Sequence, residues 1–385
     1  MSSQPAALKP LIAKPVTRRA VLWAAIAAFF LIGAVQALYG PAFPLLRERF
    51  GIGLEQVSIV VSAQFLGAFA GIVLSGFFLR ALGYRRVLLA ACVALALGVG
   101  VVAVAPVWLA VLGGAVLAGI GAGLLNVTGN LLIAVAFRPT AAPALNIINA
   151  AFGVGAVVGP LLVTVTEPHY GWAFAAAALV AILLLPWFTR LSVPDAAPPE
   201  RGAAPVAWGS LAAFVLLYVF YVSAEVGVTS WETEYLTPSF GTRAAAFTSL
   251  YWLAITAGRL LAAPLSARIR THHFVLGATV ATLVFMVAAH RVESAPIAFV
   301  LVGLSLAPIF PTALAWLTEV FPQRAEQVTP VVVAAANLGP ALSSPVIGAV
   351  IHAGGVQVVP TALSAMALAL LLTVVWLWVA TKGRA

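Results

Sequence analysis

The sequence predicts an all-α membrane protein in which twelve transmembrane helices form two similar six-helix bundles. Of its 385 residues, 63% are hydrophobic and 8% are charged, whereas an ordinary soluble domain is about half apolar and about a quarter charged. Apolar runs of the roughly 20 residues that a spanning helix needs recur along the whole chain. This composition excludes a soluble enzyme, a nucleic-acid-binding protein and a disordered chain.

Twelve stretches are long and apolar enough to span a bilayer. Their apolar residues are continuous rather than alternating, which disfavours a β-barrel. In chain order they are Ala20–Leu46, Leu54–Leu82, Arg85–Val104, Val107–Phe137, Ala141–Thr166, Trp172–Thr189, Trp208–Leu236, Arg243–Ala267, His273–Ala289, Ala295–Val320, Glu326–His352 and Val356–Ala380.

The basic residues predict how the chain is oriented. With the N-terminus inside, fifteen of the twenty lysines and arginines fall in cytoplasmic segments, and the outside receives Arg47, Arg49, Arg243 and Arg291. This bias follows the rule that cytoplasmic loops are enriched in Lys and Arg. We therefore expect a multi-pass protein of the inner membrane with both termini in the cytoplasm and without a cleaved signal peptide.

A polar, proline-rich segment divides the chain. Residues 191–207 form the predicted cytoplasmic linker between an N-terminal bundle, 1–190, and a C-terminal bundle, 208–385. The halves also resemble each other in sequence: the fourth and tenth spans share Gly119 with Gly303 and Thr128 with Thr312. Two such related halves favour internal pseudo-symmetry. Glycines at short spacing, Gly67, Gly71 and Gly76, predict close helix packing in the second span.

Polar side chains inside the spans are the candidate binding residues, because a polar group in lipid is unfavourable unless it faces the protein interior or a wet cavity. Carboxamides both donate and accept hydrogen bonds, which suits hydroxyl groups, and aromatic faces suit the C–H face of a sugar ring. A pocket for a small neutral sugar is predicted, although each amide could instead bridge two helices. The candidates are Gln36, Gln64, Asn126, Asn130, Asn146, Asn149, Glu225, Trp231, Tyr251, Trp252 and Asn337.

Glu225 is the one acid that the prediction places deep in a span. It could accept a hydrogen bond from the substrate, carry a proton, or form a buried pair with Arg259 that locks two helices. Candidate gating residues are Arg85, Arg86, Arg259, Glu319 and Arg324, of which Glu319 and Arg324 could form an ion pair at the inward mouth or stay solvated. The five histidines lie near span ends and the chain has one cysteine, so neither a metal site nor a cofactor is expected.

Several motifs carry a family resemblance. The string GFFLRALGYRR from Gly76 resembles the loop signature of the major facilitator superfamily of transporters, with Arg80 at the usual aspartate position. The strings YVSAEVGVTSWETEYL, SLYWLAITAGRLL, GAGLLNVTGNLLIAVAF and LNIINAAFGVGAVVGPLL resemble the fucose permease and glucose/galactose permease branch of that superfamily. The resemblance implies sugar contacts at Gln36, Asn130, Asn149 and Glu225.

The resemblance also exposes a departure. The proton-coupling acids of the permease correspond to Gly40 and Asn126 here, and neutral side chains cannot carry a proton. Either Glu225 alone couples transport to protons, or the protein is a facilitator.

The leading hypothesis is a transporter, not an enzyme, that moves a hexose-like neutral sugar by alternating access as a monomer in the lipid bilayer, with protons as a further partner. The alternative within transport is an exporter of drugs or another small metabolite. A membrane-embedded enzyme is disfavoured, since no catalytic set is visible, and a non-transporting sensor stays open.

Overall fold

The computed structural model describes residues 18–137, 141–191, 208–266, 268–322 and 324–382. None of these residues lies in a strand, and fourteen α-helices account for most of them. The helices are α1 (Arg18–Leu38), α2 (Phe43–Phe50), α3 (Leu54–Val104), α4 (Trp108–Ala136), α5 (Ala141–Thr166), α6 (Tyr170–Arg190), α7 (Trp208–Phe240), α8 (Ala244–Ser266), α9 (Thr271–Ala288), α10 (Ala295–Leu306), α11 (Ile309–Val320), α12 (Ala325–Ala336), α13 (Leu338–Gly354) and α14 (Val359–Thr381).

The described residues contain ten stretches long and apolar enough to cross a membrane, and two of these have double length. Leu54–Val104 is interrupted at Gly83, whose φ of 75° is left-handed and suits glycine. Trp208–Ala262 is interrupted by the 3-10 turn Gly241–Arg243. Dividing both stretches at these points gives twelve crossings, which fits the predicted number. The protein is a multi-pass membrane protein.

Three predicted spans are divided where continuous helices were expected. The first separates into α1 and α2, the tenth into α10 and α11, and the eleventh into α12 and α13. Proline lacks the N–H that continues a helix and clashes with the carbonyl four residues earlier. Pro41, Pro311 and Pro340 stand four residues after Ala37, Ala307 and Ala336, at or next to each division.

The two halves pack by matching close contacts. In the first half, a side chain on Gly119 of α4 would overlap the backbone of Gln64 on α3, and in the second, one on Gly303 of α10 would overlap that of Tyr251 on α8. These two glycines are the pair that the sequence repeat aligned.

The glycines predicted for close packing in α3 divide into two groups. Gly67 and Gly71 do contact the α4 backbone, but nothing lies within 4 Å of a side chain built on Gly76, so its expected packing role is wrong.

We call the end of the bundle at which α1 begins and α14 ends the near end, and the opposite end the far end. The halves meet where α5 contacts α8, where α3 contacts α13, and where α2 contacts α7. The boundaries 1–190 and 208–385 remain a prediction, because residues 192–207 of the linker lie outside the described residues, as does Ala267 at the expected end of the eighth span.

Candidate binding site between the two halves

Three of the seven predicted carboxamides line one cavity. Gln36 from α1, Gln64 from α3 and Asn337 from the break between α12 and α13 surround a space of about 20 Å³, together with Ile32, Phe65, Ala68, Gly119 and Ala122. This volume admits about one water molecule and is too small for a sugar ring. The residues that line the cavity therefore form a polar wall to which both halves contribute. They do not form a complete substrate pocket.

Helix packing brings these amides together. Gly119 lets α4 approach the α3 backbone at Gln64 itself, and Gln64 is buried with 6% of its surface exposed. Asn337 lies at the junction of two half-helices, where its Nδ2 donates to the carbonyl of Val333 at 3.2 Å. Its amide oxygen is the acceptor that stays available to a ligand.

Asn126 and Asn130 continue the wall towards the near end. They follow Ala122 at intervals of four residues on α4, so all three lie on one helix face. Both asparagines are half-buried, and Nδ2 of Asn130 donates to the backbone oxygen of Asn126 at 2.9 Å and to its Oδ1 at 3.3 Å. The two side chains are hydrogen-bonded to each other and together offer donors and acceptors to a ligand.

Asn146 and Asn149 lie apart from this cavity. Both are exposed on α5, and Nδ2 of Asn149 donates to the Leu145 carbonyl at 2.8 Å. Asn149 precedes Gly153 by four residues, and Gly153 packs against Thr256 of α8. Leu260 of α8, one turn beyond Thr256 towards the near end, is also exposed.

Glu225 lies in a buried polar cluster. Its Oε1 accepts a hydrogen bond from the Tyr221 hydroxyl at 3.1 Å and lies 3.7 Å from the Arg259 guanidinium. The Tyr251 hydroxyl donates to the Glu225 backbone oxygen at 3.2 Å. The pair with Arg259, one of the sequence-based alternatives, is thus formed. It balances the carboxylate charge and links α7 to α8.

The two predicted tryptophans are buried at contacts between the halves. Trp231 packs edge-on against Phe43 of α2 with ring centroids 5.3 Å apart, and Trp252 packs against Phe152 of α5 at 6.1 Å. Neither indole N–H has a hydrogen-bond partner in the described structure. Each tryptophan therefore seals an interface in this conformation.

The far end is closed by backbone contact. A side chain on Gly40 would overlap the backbone of Thr229 and Ser230 on α7. The Ser344 hydroxyl on α13 donates to the Ser58 carbonyl on α3 at 3.2 Å. Arg47 of α2 forms an ion pair with Glu234 of α7 at 2.9 Å. Position 40 cannot hold an acid for a steric reason, because any side chain there would push the turn between α1 and α2 away from α7.

The other predicted gating residues lie outside the far-end contacts. Arg85 and Arg86 are exposed at the start of the second half of α3. Of the two alternatives for Glu319 and Arg324, the ion pair is not formed among the described residues, and Glu319 accepts a hydrogen bond from the Thr271 hydroxyl at 2.7 Å. Among the residues that the structure describes, no group of histidines, cysteines and acids is arranged to hold a metal.

Sequence reasoning missed Glu232, Glu234 and Arg47. The two acids lie close to the predicted span end at Leu236, so only Glu225 counted as deep, but α7 continues to Phe240 and buries both. Arg47 was counted as an outside loop charge. The available signal was the composition of the string WETEYL: two acids within four residues of an otherwise apolar helix require partners.

A profile of the Major Facilitator Superfamily matches residues 25–243 of this chain. The glucose/mannose transporter GlcP of Bacillus subtilis is 23% identical over 343 residues, which cover 83% of this chain and 85% of GlcP. The human sodium-dependent glucose transporter 1 is 22% identical over 343 residues, covering 76% of this chain and 66% of that protein.

Solved structures resemble the whole fold. A D-xylose-proton symporter superposes with a TM-score of 0.77 at 16% identity, covering 94% of this chain and 97% of the symporter. The nucleoside transporter NupG superposes with a TM-score of 0.79 at 13% identity, covering 93% of this chain and 100% of NupG. At these identities the similarity establishes the fold.

Proposed function

We propose that this chain, which belongs to the Major Facilitator Superfamily, transports a small neutral sugar of hexose size by alternating access. The observation that carries the proposal is the cavity that Gln36, Gln64 and Asn337 share between the halves. Carboxamides from both halves on one surface suit a ligand with several hydroxyl groups. The glucose and glucose/mannose transporters to which the chain is similar support the substrate class.

The sugar binds next to the cavity, on its near-end side. There Asn126 and Asn130 extend the polar surface, and we assign Arg259, whose side chain is 29% exposed, to the same binding site. Glu225 and Tyr221 hold the guanidinium in place, so Glu225 acts through Arg259 as a positioning residue. Asn149 and Asn146 contact the sugar as it passes between α5 and α8.

The proposed transport cycle follows from the difference between the near end and the far end of the interface between the halves. In this conformation the far end is closed, and Asn149 of α5 and Leu260 of α8 are exposed on the near-end side of the Gly153–Thr256 contact. Rocking of one half against the other closes the near end and opens the far end around the fixed amides. Basic residues concentrate at the near end, at Arg18, Arg80, Arg85, Arg86, Arg268 and Arg270, which supports a cytoplasmic near end and an inward-open state. One chain contains the whole path, so a monomer is the working unit.

The proposal is tested by counterflow of labelled hexoses into proteoliposomes that contain the purified chain. Gln36→Ala and Asn337→Ala each remove a hydrogen bond worth about 1 kcal/mol, and we expect the half-saturating sugar concentration to rise about fivefold in each. Gln357→Ala is the matched control, since this amide is exposed and lies in the turn between α13 and α14.

Absence of counterflow for every hexose would overturn the sugar assignment. Equal affinities in the wild type and both cavity variants would move the binding site away from the cavity.

A further inference from the structure

Glu232 on α7 is a buried acid that forms no ion pair with any residue the structure describes. Its side chain is 0% exposed. Neither carboxylate oxygen has a hydrogen-bond partner in the described structure. The ion pairs within 4.0 Å among the described residues are Arg47–Glu234 and Arg259–Glu225, so none of the described basic side chains pairs with Glu232.

The groups around Glu232 offer oxygen atoms and no positive charge. Thr248 of α8 lies close to the carboxyl group without meeting hydrogen-bond geometry, and its hydroxyl is 3.3 Å from that of Thr233. The Tyr251 hydroxyl of α8 is not available to Glu232, because it donates to the Glu225 backbone oxygen. From α2, Arg47 is bound to Glu234.

Glu225 and Glu232 differ in the partners that surround their carboxylates. Glu225 lies two helical turns away on α7 and has both a cation and a hydroxyl donor. A carboxylate that is buried without either costs several kcal/mol. Glu232 therefore requires a bound cation in this conformation, whereas Glu225 does not.

The position of Glu232 connects this requirement to transport. Trp231 contacts Phe43 of α2 and Glu234 pairs with Arg47, so the residues on either side of Glu232 touch the other half. When the far end opens, this stretch of α7 loses those contacts and the surroundings of Glu232 change with it. A cation on Glu232 is thereby coupled to the conformation.

We propose that Glu232 is the binding site of the coupling cation, a proton or Na⁺, and that occupation of this site favours closure of the far end. This inference rests on the proposed transport function. It replaces the sequence-based hypothesis that Glu225 carries the proton.

The first test needs no sugar. Thermal unfolding of the purified chain is followed in a pH series without Na⁺ and in a Na⁺ series at fixed pH. A cation that binds the folded state raises the melting temperature. We expect the wild type and Glu48→Gln, which changes an exposed acid of α2, to respond equally, and Glu232→Gln to lose part of the response to one cation. Identical responses in all three proteins would overturn the proposal.

The second test uses proteoliposomes. An imposed proton gradient or Na⁺ gradient should drive hexose above its equilibrium level in the wild type, and Glu232→Gln should fall to the equilibrium level while retaining counterflow. The cation site is contradicted if Glu232→Gln accumulates as much hexose as the wild type, or if neither protein accumulates hexose under either gradient. Both outcomes leave the proposed sugar transport standing.

If Glu232→Gln also loses counterflow, the test is repeated with Glu232→Asp, which keeps the carboxylate. Gradient-driven hexose accumulation by Glu232→Asp supports the proposal, and its absence overturns it. Wild-type protein that binds the cation but exchanges no hexose would instead refute the sugar assignment.

Discussion

The far end and the near end of the interface between the halves differ in what holds them. At the far end, the turn between α1 and α2 touches the backbone of α7 at Gly40, and α2 and α7 share the Arg47–Glu234 pair. On the near-end side, α5 and α8 meet at Gly153 and Thr256, and one turn further Asn149 and Leu260 are exposed. Steric fit and a partly buried ion pair thus stabilise the far end, while the exposed amide of Asn149 on the near-end side is left for a ligand.

The largest expected effect comes from Gly40→Ala. The added methyl group overlaps α7 backbone, and overpacking costs about 1–3 kcal/mol, which shifts the equilibrium away from far-end closure by about 5- to 150-fold. We expect a Ser58→Cys reporter, buried at the far end in this state, to react faster with a membrane-impermeant thiol reagent.

Two controls accompany this measurement. Gly113→Ala, on α4 with nothing within 4 Å, should leave the reporter rate unchanged, and the native Cys92 is buried and silent. An equal reporter rate in Gly40→Ala and Gly113→Ala would show that the far end does not depend on this contact.

An intermediate effect is expected from the Arg47–Glu234 pair. Arg47 is about one-third exposed, so the pair is discounted for solvent screening to about 1 kcal/mol, and Arg47→Gln should raise the Ser58→Cys rate about fivefold. The variants Glu234→Gln and Arg47→Gln/Glu234→Gln complete a double-mutant cycle. The control is Arg49→Gln, which removes an exposed arginine of α2. Additive single effects would show that the pair contributes nothing to closure.

The smallest effect is expected from Ser344→Ala. It removes one neutral hydrogen bond to a carbonyl of α3, worth about 0.5–1 kcal/mol, so the reporter rate should rise about two- to fivefold. Ser364→Ala on α14 is the comparison, since the Ser364 hydroxyl is buried without a hydrogen-bond partner in the described structure. A larger change in Ser364→Ala than in Ser344→Ala would mean that the Ser344 contact does not hold α3 to α13.

Membership in an all-helical membrane fold was predictable from the sequence. Apolar runs of spanning length follow from composition alone, and the Gly119–Gly303 repeat predicted matching contacts that the structure contains. The Glu225–Arg259 pair was predicted as one alternative, because acids and bases inside spans need partners and few were available. Gln36, Gln64 and Asn337 were predicted to share a surface, and they line the same cavity.

Tertiary structure decided which residues occupy which role. Asn146 and Asn149 have the same chemistry as Gln64, yet they are exposed on α5 while Gln64 is buried in the cavity wall. The sequence determined the helices because each helix is a local response to twenty apolar residues in lipid. It did not determine that Arg47 pairs with Glu234 while Glu232 is left unpaired among the described residues, since this depends on how far distant helices extend and rotate relative to one another.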